Sequence, residues 1–136
     1  MKLLSRLNRR GFTLIELMIV MSIVGILASI AAPNFRWGLI KAKESVLREQ
    51  LYTLNSTIDQ FFADKGKYPD SLSDLTEGSL PYLPRIPKDP FTGQPDWVTL
   101  APMGSSDGAE IKGNIYRVKS NSPLRGSDGK PYNEWE

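Results

Sequence analysis

The chain has 136 residues, room for one small domain and one membrane helix. It contains no cysteine and no histidine, which excludes disulfides and the usual zinc ligand sets and leaves no thiol or imidazole for catalysis. With 17 basic and 15 acidic residues and no general basic patch, nucleic acid is not an expected partner, and carboxylates scattered among turns predict no enzyme activity. A domain this small without disulfides needs another staple, such as a long helix, oligomerisation or an oxygen-ligated ion.

The net charge of +2 hides a split. Lys2, Arg6, Arg9 and Arg10 put four cations ahead of Gly11, leaving 13 basic residues against 15 acidic from Phe12 onward. An apolar run from Phe12 to Ala32 follows, 21 residues or about 31 Å of helix, enough to cross a bilayer core. The positive-inside rule keeps the basic block in the cytoplasm and delivers the remainder to the other face. A secretory signal peptide is the bland alternative. Its apolar region should be shorter, about 7–15 residues, and a carboxylate near its start fits poorly. Glu16 is that carboxylate, four residues past Phe12, where an unpaired charge costs about 3 kcal/mol or more in lipid.

Gly11, Phe12 and Glu16 together resemble the N-terminus of the type IV pilin and type II secretion pseudopilin superfamily. The resemblance implies a cleaved basic leader, residues 1–11, with cutting after Gly11 and N-methylation of Phe12 by a prepilin peptidase. It further implies a transmembrane and assembly helix over 12–35 and a periplasmic headpiece over 36–136. Glu16 and Pro33 are then assembly residues, and Glu16 meets the new ammonium of a neighbouring subunit in a homo-oligomeric helical filament. Ser22, Gly25 and Ser29 are small enough for close helix approach, although chance occurrence is the simpler explanation of small residues in such a segment.

Pro33 interrupts the apolar run, and a kink or local break is expected there. Beyond it, Ile40, Leu47, Leu51, Leu54, Ile58 and Phe61 recur at spacings of seven, four, three, four and three, one stripe of an amphipathic helix over 36–65. Arg36, Lys41, Lys43, Glu44, Arg48, Glu49 and Asp59 fall elsewhere on its surface. The stripe predicts packing on a sheet of the same chain, and Gly66 a helix stop.

From Gly66 onward the chain is loop-rich. Ser71 and Asp74 read as a capping-box pair for a short helix, and prolines at 81, 84, 87, 90 and 95 predict an extended, turning segment. Trp97–Leu100 and Asn114–Ser120 are the strand candidates, with Met103–Gly108 a loop and Asp128-Gly129 a turn. The expected fold is therefore α+β: a long N-terminal helix packed on a small antiparallel sheet of two or three strands, with a loop-rich C-terminal headpiece. Trp97, Tyr116 and Trp135 read as core and interface residues before ligand binders.

Lys67-Tyr68-Pro69, Leu72, Leu75, Tyr82-Leu83-Pro84 and Ile86-Pro87-Lys88-Asp89-Pro90-Phe91 resemble the major pseudopilin of type II secretion, as do Ile115-Tyr116 and Ser120 ahead of a Ser- and Gly-rich loop. That resemblance implies a structural subunit of a periplasmic pseudopilus, anchored in the inner membrane by a single pass. Its implied partners are minor pseudopilins and an inner-membrane assembly platform. A type IV pilus subunit for adhesion, motility or DNA uptake is the alternative. The segment Thr92–Asn114 is fuller than the usual pseudopilin loop. The resemblance also implies calcium in the C-terminal loop, which needs about six to eight oxygens. Here Asp128, Asn133 and Glu134 are the candidate metal ligands, and Pro123, Leu124 or Arg125 stands where another aspartate is wanted. An ordinary Asp-Gly turn fits as well, and no cofactor is expected.

Overall fold

The computed structural model describes residues 11–104 and 111–136. The expected leader, Gly11 apart, and residues 105–108 of the expected Met103–Gly108 loop lie outside them. The described chain forms two compact units that divide between Leu39 and Ile40. Helix α1, Leu14–Lys65, contributes to both.

Within the first unit every helical side chain is exposed, including Ile15, Met18, Ile19, Val24, Leu27 and Ile30. The Ser22 and Ser29 hydroxyls donate to the carbonyls of Met18 at 2.8 Å and Ile26 at 2.7 Å, so these polar groups spend their donors inside the helix. The break expected at Pro33 does not occur, because α1 runs through it. Proline withdraws one backbone donor, and an established helix propagates across that single loss with intact turns on both sides.

In the second unit, Leu47, Leu51, Leu54, Ile58 and Phe61 of α1 are buried, as the stripe predicts. Its two ends differ from the expectation. Ile40 is 37% exposed, whereas Glu44, read from sequence as a surface charge, is only 5% exposed. Glu44 stands three residues before Leu47 and so lies in register with the stripe. Gly66 ends α1 with a φ of 68°, its N–H donating to the Phe62 carbonyl at 2.8 Å.

Around that helix face the loops close a core with Leu75, Trp97, Ile115, Val118, Tyr132 and Trp135. Leu75 comes from a 3₁₀ turn, Leu72–Leu75, where Asp74 accepts hydrogen bonds from the Asp70 and Ser71 amides at 2.8 and 3.1 Å. Trp97 and Trp135 are core residues, while Tyr116 remains partly exposed and stacks edge-on with Tyr68.

The sheet has two antiparallel strands, β1 (Val98–Leu100) and β2 (Arg117–Lys119), with Thr99 opposite Val118. The second strand is shorter than the sequence predicts because Asn114 and Ile115 donate instead to the Pro69 carbonyl at 3.1 and 3.0 Å. So short a pair is marginal alone. Asn55 of α1 supplies the staple: its amide oxygen accepts from Val118 N at 2.9 Å and its amide nitrogen reaches Val118 O at 3.4 Å. A helix side chain thus satisfies β2 as a third strand would.

Candidate functional site

The sequence nominates two regions, one in each unit. In the first, Gly11 and Phe12 precede the helix, and Phe12 is 90% exposed. Thr13 caps α1. Its hydroxyl oxygen accepts from Glu16 N at 3.3 Å, while Glu16 Oε2 accepts from Thr13 N at 2.8 Å and from the Thr13 hydroxyl at 2.9 Å. This is a reciprocal capping box, and its Thr-x-x-Glu spacing was legible in the sequence. Glu16 therefore does not stand bare in the single chain. Pro33 lies in the same unit, inside the helix and away from the Thr13–Glu16 box.

The second region is the C-terminal loop. Gly126 N donates to Lys130 O at 2.8 Å and Tyr132 N to Leu124 O at 2.9 Å, so the chain doubles back around Asp128-Gly129 as a hairpin. Asp128 Oδ1 accepts from Lys130 N at 3.0 Å, the ordinary service of an Asp in a tight turn. Asp128 and Glu134 line one shallow depression together with Arg48, Lys130, Trp135 and Glu136. Asn133 is exposed and is not part of that lining. Among the described residues no three histidine, cysteine or acidic side chains converge on a point. Two cations share the depression, and the Arg125 guanidinium donates to the Gly129 carbonyl at 2.9 Å. A calcium ion takes about six to eight oxygens, and here two cations stand among the oxygens that the depression gathers.

What the structure brings together at this loop is a set the sequence did not single out. Glu44 Oε1 accepts from Ser127 N at 2.6 Å and the Tyr132 hydroxyl at 3.0 Å, and Oε2 accepts from the Ser127 hydroxyl at 2.6 Å. Burial pushes the Glu44 carboxyl up, but the Ser127 hydroxyl and amide, Tyr132 and the Arg48 charge together outweigh it and leave it below its ordinary value. Tyr132 is pushed up to about 12, by burial first and then by its bond to Glu44 and the charges of Glu44 and Asp128. Its ring stacks on Phe91 at 3.9 Å between centroids and meets Trp135 edge-on at 4.9 Å. Arg48 lies over the Trp135 ring at 4.5 Å. The signal for Glu44 was its place in the apolar register.

A second buried carboxylate, Asp89, ties two loops. Its Oδ1 accepts from Phe91 N at 2.7 Å and its Oδ2 from the Ser120 hydroxyl, whose oxygen in turn accepts from Ser122 N at 3.1 Å. Both carboxylates gather serine hydroxyls and backbone amides of loops distant in sequence, the geometry of a fastened scaffold.

Residues 6–32 match the prokaryotic N-terminal methylation motif family. The chain is 33% identical over 116 residues to the type II secretion system core protein G of Klebsiella michiganensis, covering 75% of this chain and 82% of the relative. It is 32% identical over 109 residues to the protein of the same name from Escherichia coli K12, covering 70% and 74%. A third relative, the type IV major pilin protein PilA of Myxococcus xanthus, is 45% identical over 73 residues, covering 52% of this chain and 33% of the relative. No solved structure matches the chain.

Proposed function

The chain belongs to the type II secretion system core protein G family, pseudopilins of the type IV pilin-like group, and from that premise we propose how this pseudopilus subunit is made and assembled. The family is one of filament subunits and not of enzymes. The observation that carries the assembly reading is the wholly exposed apolar surface of α1 in the first unit.

The basic leader holds the N-terminus in the cytoplasm, α1 crosses the inner membrane once, and the second unit folds in the periplasm. A prepilin peptidase cuts after Gly11 and methylates Phe12, removing four cations and creating an ammonium. Withdrawal of the apolar segment from lipid then requires an equally apolar home, which a bundle of identical segments provides. A head-to-tail contact that does not close generates a helical fibre. Thr13 holds the Glu16 carboxylate while the subunit waits in lipid, and the ammonium of a neighbour takes it over on assembly. In low dielectric that pair selects register, since a subunit out of step leaves the charge unmatched. Minor pseudopilins and the inner-membrane platform are the partners of this assembly.

Glu16→Gln tests the reading, because it keeps the shape and removes the charge. Cleavage and insertion should proceed normally while filaments, read by electron microscopy of overproducing cells, are lost. Polymerisation at the wild-type level would refute the pairing. Deletion of the gene should abolish secretion of exported proteins without loss of surface fibres. Lost surface fibres with motility or uptake defects would place the chain with the pilus subunits, as the PilA similarity allows.

A further inference from the structure

We propose that Glu44 closes the C-terminal loop in place of a metal ion, so that the loop folds and stays shut without calcium. Any closure must clamp residues on both sides of the Asp128-Gly129 turn. A calcium ion does this as a cation, by drawing loop oxygens inward. Glu44 does it with the opposite polarity, as an anion that gathers donors: Ser127 N–H, Ser127 O–H and Tyr132 O–H converge on its two oxygens. Ser127 precedes the turn and Tyr132 follows it, so one carboxylate spans the hairpin.

The surrounding groups are built to the same polarity. The Arg125 guanidinium, a cation, already takes the Gly129 carbonyl, and Asp128 Oδ1 accepts from the Lys130 amide. One turn along α1 from Glu44, Arg48 covers Trp135. The Trp135 ring lies so close to Gly126 that a Cβ there would stand 2.5 Å from Cζ2. Two charged residues of α1 therefore hold residues 126–135 from one side, with Phe91 stacked on Tyr132 from another. The carboxylate accounts for its own burial, since three donors and a nearby guanidinium replace the water it loses. This inference goes beyond filament assembly and does not depend on it.

Hydrogen exchange of the full chain in detergent micelles, read by mass spectrometry on the peptide spanning residues 123–136, tests it. Wild-type protein should exchange at the same rate in millimolar calcium chloride as in EDTA. Glu44→Gln keeps the volume but turns donors toward donors. Exchange there should accelerate by about tenfold or more, and calcium should not restore it. Slower wild-type exchange in calcium than in EDTA would overturn the proposal, as would wild-type protection in Glu44→Gln. Should Glu44→Gln fail to fold, Tyr132→Phe decides. It removes one of the three donors while keeping the ring stack, and should accelerate exchange several-fold. Unchanged exchange in that variant overturns the proposal as well.

Discussion

Gly113→Ala is the perturbation whose effect the structure makes most definite. Gly113 has a φ of 104°, outside the range an alanine adopts without strain. It also sits where two backbones cross. Tyr68 N donates to Lys112 O at 2.9 Å, and Asn114 and Ile115 donate to the Pro69 carbonyl, so the chain on either side of Gly113 is tied to Tyr68 and Pro69. A Cβ at 113 would collide with the Tyr68 carbonyl, a backbone group that these hydrogen bonds prevent from swinging away. Positive-φ strain costs about 1–3 kcal/mol and overpacking typically about 1–3 more, giving about 2–6 kcal/mol. Such a loss is a large share of the about 5–15 kcal/mol that stabilises an ordinary domain. At about 4–8 °C per kcal/mol the melting temperature should fall by about 10 °C or more. Gly78→Ala is the matched control, with a φ of 108° and nothing within 4 Å of its Cβ position. It carries the strain without the collision and should lose roughly half as much. Thermal unfolding of both variants by circular dichroism in micelles measures the difference. Equal losses would refute the close approach of the two backbones.

Asp89→Asn should destabilise the second unit by about 1–3 kcal/mol, read as a lower melting temperature, because the amide nitrogen cannot accept one of the donors that converge on the buried carboxylate. Glu44 sets an acid limit. Its folded pKa lies below the ordinary 4.5, so the stability it contributes is fully present above that value and is lost as pH falls through the folded pKa. The difference in melting temperature between wild type and Glu44→Gln should be largest near neutrality and shrink on acidification below the ordinary carboxylate range; a constant difference would contradict this. Replacing Gly11 with leucine should block removal of the leader, and mass spectrometry should find the uncut chain of 136 residues in the inner membrane.

Much of the chain was legible without coordinates, and the parts that were share a cause. The 3.6-residue period of Leu47, Leu51, Leu54, Ile58 and Phe61, the stop at Gly66 and the Ser71–Asp74 cap each depend on residues within one or two turns. The N-terminal methylation motif over residues 6–32 was legible for the same reason, as a short run of neighbours. At Pro33 the helix does not break, because a single missing donor does not end a helix already propagated on both sides.

The strand ends and the C-terminal loop were different. Asn114 and Ile115 have the composition of strand residues, yet their hydrogen bonds go to Pro69, a choice made by where the chain passes and not by the residues themselves. Glu44 shows the division most sharply. Its position in the apolar register is a property of the sequence. Whether a carboxylate at that register is buried depends on donors that arrive from Ser127 and Tyr132, 83 and 88 residues along the chain. Helical hydrogen bonds close over four residues, so local order is written locally. A buried charge is stable only when its partners are delivered to it, and delivery is what the tertiary structure decides.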